Sequence, residues 1–177
     1  MAVNQVLPFT GNSAAVAPAT SKTSRYLVAF FPTFALERCG YLVSECVVLC
    51  CFRRNAFRLI GLMPAARDAG LTLGMSVSEA RALCPRVILE NWCEEDEEKD
   101  WTALQGIFSA YSDRIQRGRD ADLVLDVSGT AHLFGGEERL VRLIVEHSEK
   151  LGHACRAVIG DDPLAAEIWA RSQGSGV

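Results

Sequence analysis

The sequence predicts an α/β fold, in which a mixed sheet packs against helices and is joined to a small second subdomain. Strands are indicated by short, continuously apolar runs such as residues 26–31, which suit strands buried on both faces. Helices are indicated by apolar residues at helical spacing, as in Trp101, Leu104 and Phe108. The two kinds of segment alternate between residues 25 and 171, which is typical of an α/β domain.

The first half of the chain combines strands with two short helices. The predicted strands are residues 26–31, 47–52 and 57–62, with a turn at 53–55 between the last two. A short helix begins at Pro64 and ends before Gly70, since proline is favoured in a first turn and glycine just past a last turn. Ser76 and Glu79 have the spacing of a capping box, which predicts a second helix that reaches Leu83.

The second half alternates longer helices with strands. The predicted elements are a helix that follows the acidic run at 94–100, a strand at 123–127, a helix at 137–151, a strand at 155–159 and a helix at 163–171. Carboxylates are favoured in a first helical turn, so the acidic run needs no metal to explain it. The buried face of the 137–151 helix is predicted to consist of Leu140, Val141, Ile144, Val145 and Leu151.

Composition favours a folded intracellular domain. The chain has 177 residues, of which 49% are hydrophobic, enough for one domain or slightly more. Residues 1–24 lack a charged start followed by an apolar block, so we expect a disordered leader and no secretion signal. No apolar stretch reaches the length of ~18 residues that a membrane span requires. We therefore expect a cytoplasmic protein with no membrane contact.

The cysteines favour the same compartment. Seven are present, an odd number, and none follows a paired Cys-x-x-Cys spacing. The three histidines lie far from the cysteine-rich segment, so a zinc site lacks its usual ligands. Reduced thiols that behave as small hydrophobic side chains are the preferred interpretation, and redox sensing is the alternative.

Basic residues concentrate in one segment, although the net charge is −4. Seven arginines and three carboxylates lie between residues 38 and 86. Such a basic half suits phosphate contact, and Arg53, Arg54 and Arg67 are the candidate DNA-binding residues. The alternative is a set of solvated arginines on separate faces.

Two motifs resemble those of Y-family (translesion) DNA polymerases. Residues 65–85, AARDAGLTLGMSVSEARALCP, are similar to the fingers segment of that family, and Leu125-Asp126-Val127-Ser128 is similar to the Leu-Asp-Val-Thr that follows its acid pair. The continuation at 131–137, AHLFGGE, is similar to the ImuB-type branch, the polymerase-like subunits of a bacterial mutagenic repair complex.

The resemblance implies a domain organisation and a set of partners. Residues 25–36 and 87–177 correspond to the palm, residues 37–86 correspond to the fingers, and the thumb and little finger are absent from this chain. The implied role is in DNA repair, translesion synthesis and SOS mutagenesis, as a UmuC-type domain. The implied partners are DNA, an error-prone polymerase subunit and other mutasome proteins, with the sliding clamp only if further C-terminal sequence exists.

The positions of the family's metal-binding acids are largely apolar here. Nucleotidyl transfer needs two divalent cations that lie about 4 Å apart and are held by carboxylates. Alignment with the family places Ala29 at the first acid, and Ala121 and Asp122 at the acid pair; a one-residue shift would use Asp120. Asp126 is expected on the same strand face as Asp122, either as a weak metal ligand or as a polar residue that satisfies a neighbouring amide.

The resemblance therefore implies a non-catalytic relative with no metal or other cofactor. Among the nucleotide contacts, Pro64-Ala65-Ala66-Arg67 keeps the arginine of the family's Tyr-x-x-Arg and loses the tyrosine. Arg67 is expected either to bind a phosphate or to pair with Asp68 or another carboxylate. Two other functions stay open: an error-prone polymerase with a rearranged Mg²⁺ site, and an interaction domain that does not bind nucleic acid.

Overall fold

The computed structural model describes residues 24–42, 44–53, 55–119 and 121–172. Nearly all of the predicted leader lies outside these ranges, as do Arg54 and Asp120. The strands are β1 (Tyr26–Phe30), β2 (Val47–Arg53), β3 (Ala56–Leu62), β4 (Ile88–Asn91), β5 (Ile115–Arg117), β6 (Asp122–Asp126) and β7 (Arg156–Gly160). The α-helices are α1 (Phe34–Glu37), α2 (Pro64–Asp68), α3 (Val77–Leu83), α4 (Glu94–Phe108), α5 (Glu137–Lys150) and α6 (Pro163–Ser172).

The larger sheet has four antiparallel strands in the order β5-β6-β1-β7. Strand β1 lies in the interior because both of its neighbours pair along its full length. One face of this sheet packs against a core that includes Trp101 and Phe108 of α4 and Leu140 and Ile144 of α5. The other face packs against α6 through a smaller cluster around Val28. The four-stranded sheet is therefore covered by helices on both sides.

The smaller sheet has the strand order β3-β2-β4 and mixes antiparallel with parallel pairing. The predicted hairpin at 47–62 is confirmed, with Asn55 in the left-handed region at φ 63° in its turn. Helices α2 and α3 supply Ala66 and Ala80 to the core under one face of the sheet. The α/β class is thus confirmed, and the strands divide between two sheets.

The capping box at the start of α3 is confirmed. The Ser76 Oγ accepts a hydrogen bond from the Glu79 backbone N–H at 3.2 Å, and Glu79 Oε2 accepts one from the Ser76 N–H at 2.7 Å. The Glu79 carboxylate accepts hydrogen bonds from the N–H and the hydroxyl of Ser76, and these two bonds lower its pKa. The capping box therefore sets the first residue of this short helix.

The structure differs from the sequence prediction in several elements and in the buried face of α5. Helix α1 and strands β4 and β5 were not predicted. Strand β4 pairs with β2 although it follows the predicted fingers-like segment, 37–86. Leu151, predicted to be buried, follows the end of α5 and is 38% exposed, while Val141 and Val145 are only partly buried and Ser148 is fully buried.

Candidate functional site

The positions at which the resemblance predicts acids lie on β1 and at the start of β6. The strand register places Ala29 and Asp122 on opposite faces of the sheet. Ala29 pairs with Leu123, and Phe30 pairs with Asp122. Ala29 and Leu123 are both buried in the core that α4 and α5 cover, and Ala121 packs against that core. Because side chains alternate along a strand, Asp122 projects toward the other face, where α6 lies. The methyl groups of Ala29 and Ala121 thus pack in an apolar core.

Asp122 forms an ion pair with the last turn of α6. The residue is fully buried, and its Oδ1 lies 3.4 Å from Nη2 of Arg171. The same guanidinium bonds Glu167 one turn earlier and lies 5.7 Å from the centre of the Phe30 ring. A buried carboxylate requires a compensating positive charge. Here Arg171 supplies that charge from within the protein.

Gly118 closes the opposite side of the Asp122 carboxylate. Its N–H donates a 2.8 Å hydrogen bond to the Asp122 carbonyl. A Cβ atom at position 118 would lie only 1.7 Å from Asp122 Oδ2. The backbone approaches the carboxylate this closely only because residue 118 has no side chain. The segment before β6 therefore depends on glycine at this position.

Asp126 has a separate set of partners at the far end of β6. Its Oδ1 accepts hydrogen bonds from the Ser128 hydroxyl at 2.6 Å and the Ser128 N–H at 3.1 Å. Its Oδ2 lies 3.4 Å from Nη1 of Arg114. The hydrogen bonds from Ser128, more than the exposed Arg114, lower the pKa of Asp126. The geometry is that of a carboxylate that orders the turn after a strand.

The residues that the structure describes do not fit a two-cation centre. Asp122 and Asp126 occupy the first and last positions of β6, which places them about 13 Å apart along the strand. Ligands of one divalent cation must converge to within about 2.6 Å of it. Within the described ranges, no group of three His, Cys, Asp or Glu side chains has a geometry that could hold a metal ion. Asp120 lies outside those ranges.

The candidate DNA-binding arginines lie on the surface. Arg53 ends β2 at the tip of the hairpin, and Arg67 lies in the last turn of α2; both are exposed. Neither forms an ion pair within the parts of the chain that the structure describes, so the expected pairing of Arg67 with Asp68 is not seen. Arg54 lies outside the described residues. Exposed guanidinium groups without a carboxylate partner are available to phosphate oxygens.

Sequence analysis missed an aromatic pair beside Arg53. Phe52 and Phe57 are cross-strand neighbours with ring centres 5.4 Å apart in an edge-to-face arrangement. Phe52 and Phe57 are 64% and 47% exposed. They lie on the same face of the sheet that α2 and α3 cover, but at its uncovered end. Their symmetrical placement around the turn in Phe-Arg-Arg-Asn-Ala-Phe was the available signal. The hairpin tip thus presents aromatic and basic groups together.

The glycine pair at 135–136 forms the start of a helix. Gly135 and Gly136 have φ values of 86° and 104°, which favour glycine. Their N–H groups donate to the carbonyls of His132 and Ala131. Neither N–H group therefore points to a bound anion such as phosphate. Glu137, the first residue of α5, bonds the Arg25 guanidinium at 2.6 and 2.8 Å. These contacts join the start of β1 to α5.

Comparison with known proteins assigns the family. The family model described as impB/mucB/samB matches residues 26–171. The chain belongs to this family. The protein ImuB from two strains of Caulobacter vibrioides, NA1000 / CB15N and ATCC 19089 / CIP 103742 / CB 15, is 31% identical over 105 residues. That alignment covers 58% of this chain and 22% of each relative.

The solved structures that resemble this member of the impB/mucB/samB family are Y-family DNA polymerases. A post-insertion binary complex of Dbh DNA polymerase superposes with a TM-score of 0.73 at 18% identity, over 84% of this chain and 45% of that one. DinB from Sulfolobus solfataricus superposes with a TM-score of 0.71 at 17% identity, over the same shares. The match shows the palm and fingers fold. The chain spans less than half the length of these polymerases.

None of the helices within the described ranges combines the length and apolar character needed to cross a bilayer.

Proposed function

We propose that this protein is a non-catalytic Y-family polymerase-like subunit that acts in translesion synthesis and induced mutagenesis in the cytoplasm. The observation that carries the proposal is the ion pair of Asp122 with Arg171, on a sheet whose other expected acid positions are Ala29 and Ala121. The Arg171 guanidinium compensates the charge of the Asp122 carboxylate. A fold that keeps its hydrophobic core but lacks the carboxylates that would bind metal ions is suited to binding a partner rather than to nucleotidyl transfer.

Primer extension tests the non-catalytic part of the proposal. The purified chain is mixed with a primed template, nucleotides and Mg²⁺ or Mn²⁺, and we expect no extension. Template-dependent extension that disappears in Asp122→Ala and persists in Asp113→Ala would instead support the rearranged polymerase site. Asp113 is a suitable control because it is an exposed carboxylate outside the strands.

The hairpin tip is the surface that we propose for DNA. Phe52 and Phe57 offer ring faces to bases, while Arg53 offers a guanidinium to phosphates. Stacking of a base on an aromatic ring contributes about 1–3 kcal/mol and requires an unpaired base. Phosphate contact is independent of sequence and depends strongly on salt. We therefore expect weak binding that favours single strands over duplexes.

Binding measurements with matched variants separate these two contributions. Fluorescence anisotropy is recorded with single-stranded and duplex oligonucleotides at several salt concentrations. Arg53→Gln should weaken binding to both and reduce the salt slope by about one phosphate contact. Phe52→Leu should weaken only single-strand binding, while Ser78→Ala, on the exposed side of α3, should change neither. Binding that is unchanged in both hairpin variants would place the DNA surface elsewhere.

For the protein partners we propose the exposed side of α6. Leu164, Ile168 and Trp169 are 47%, 62% and 60% exposed and lie within two turns of that helix. Large apolar side chains grouped on a surface are characteristic of protein interfaces. The similarity to ImuB suggests an error-prone polymerase subunit as the partner. With purified subunits, Trp169→Ser should weaken the complex at least tenfold, whereas equal affinity would reject this surface.

A further inference from the structure

Two cysteines that are distant in sequence meet beside the three-stranded sheet. The Sγ atoms of Cys46 and Cys84 lie 3.3 Å apart, and both residues are half-buried. Each packs against the core beneath that sheet. Within the described ranges, no other pair of thiols is in hydrogen-bonding contact. This contact is distinct from the acid positions and from the hairpin tip.

The backbone holds both cysteines in place. Cys46 immediately precedes β2, and its carbonyl accepts a 2.9 Å hydrogen bond from the N–H of Ile88. Cys84 caps the C-terminal end of α3, and its N–H donates a 2.8 Å bond to the carbonyl of Ala80. The sulfur atoms need to approach by little more than 1 Å to reach the bonded distance of about 2.05 Å. Small side-chain rotations can supply a movement of that size.

We propose that Cys46 and Cys84 form an intramolecular disulfide when the protein meets hydrogen peroxide. One thiolate attacks the peroxide, and the O–O bond breaks to give a sulfenic acid and hydroxide. The second thiol then attacks the sulfenic sulfur, the S–S bond forms, and water leaves. Overall, two thiols are oxidised by two electrons while one peroxide is reduced to two waters. The bond would join the start of β2 to the end of α3 and close a loop that contains β2, β3, α2 and α3.

The surroundings of the two cysteines make disulfide formation slow and dependent on pH. Burial, together with the hydrogen bond to Cys84, raises the pKa of Cys46 to about 11. The thiolate is the reactive form, so the rate should rise with pH throughout the neutral and mildly alkaline range. Cys155 also has a pKa raised to about 11 by burial, but it has no thiol neighbour in the described structure. Proximity, rather than unusual reactivity, therefore selects the pair.

Peptide mapping of the full chain tests the proposal directly. The reduced protein is treated with hydrogen peroxide at mildly alkaline pH, blocked with an alkylating agent and digested without reductant. We expect a peptide pair linked through Cys46 and Cys84, with a mass lower by about 2 Da for the two hydrogens lost. We also expect Tm to rise by ~10 °C and to return when reductant is added, because the bond closes a long loop.

Matched variants identify the bond. Cys46→Ser and Cys84→Ser should each abolish the linked peptide and the Tm rise, whereas Cys39→Ser, at an exposed cysteine, should leave both unchanged. The mapping on the unmodified chain decides the outcome even if a variant fails to fold. Linkage to any other cysteine, or oxidation to sulfinic acid without a linked peptide, would overturn the proposal.

Discussion

Asp122 and Arg171 lie 49 residues apart in the sequence, and their side chains meet at 3.4 Å between β6 and α6. The carboxylate is fully buried, whereas the arginine side chain is 34% exposed. The pair connects the central strands of the four-stranded sheet to the last helix, beside the Phe30 ring. The strand position where the sequence resemblance leads us to expect one of the family's acids thus contributes to the attachment of a helix.

Removal of either partner should destabilise the protein, but by different amounts. Arg171→Ala leaves a fully buried carboxylate and should lower the free energy of unfolding by about 3–5 kcal/mol. Asp122→Ala leaves a guanidinium that water already reaches, so we expect a loss of about 2–3 kcal/mol. Urea unfolding measures both. Asp113→Ala, an exposed carboxylate, should change stability by less than about 0.5 kcal/mol. Equal losses for the two partners would contradict the difference in burial.

Gly118 should be intolerant of even a methyl group. Since a Cβ there would lie 1.7 Å from Asp122 Oδ2, Gly118→Ala should cost about 2–3 kcal/mol of unfolding free energy. In the double variant Gly118→Ala, Asp122→Ala the clash is absent, so the total loss should fall well below the sum of the single losses. Gly106→Ala is the control, because nothing lies within 4 Å of the added Cβ. Additive losses would show that the two residues do not interact.

Protonation of Asp126 should lower the free energy of unfolding in acid. Hydrogen bonds from Ser128 lower its pKa in the folded state, so the stabilisation is present above the unfolded pKa of about 3.9 and is lost as pH falls through the lower folded value. Ser128→Ala removes the largest cause and should flatten the loss of stability with falling pH. Urea unfolding over a pH series measures the slope. Ser109→Ala should keep the original slope, and identical slopes for all three proteins would refute this role.

The capping box predicts a local effect on α3. Ser76→Ala removes the acceptor for the Glu79 N–H and should cost about 1 kcal/mol. Ser78→Ala lies two residues further along, is exposed and has no capping bond, so it should have almost no effect. Thermal unfolding of the two variants side by side gives the comparison. A larger loss for Ser78→Ala would show that the helix start is fixed in another way.

Local patterns predicted the elements whose signals lie within a few residues. The hairpin at 47–62 and helix α3 were predicted because turn residues and the capping box are encoded in short stretches. Strands β4 and β5, with four and three residues, are too short to show a period. Strand β4 is also stabilised by parallel pairing with β2, about 40 residues earlier, which no local pattern records.

The candidate site was predicted only in part for the same reason. Alignment could place Ala29, Ala121 and Asp122, but the face on which each side chain lies depends on the register of β1 with β6. Glu167 and Arg171 have the spacing of helix neighbours one turn apart. Nothing in it indicated that Asp122 completes the group. The contact between Cys46 and Cys84 likewise depends on how α3 packs on the sheet.

Manganese binding tests the central claim most directly, because it asks whether Asp122 holds a metal without requiring DNA, nucleotides or a partner protein. The purified chain is titrated with Mn²⁺, and free metal is followed by electron paramagnetic resonance. With Arg171 beside Asp122 and no converging carboxylates in the described structure, we predict no saturable site whose occupancy depends on Asp122. Stoichiometric binding that is lost in Asp122→Ala and retained in Asp113→Ala would contradict the account.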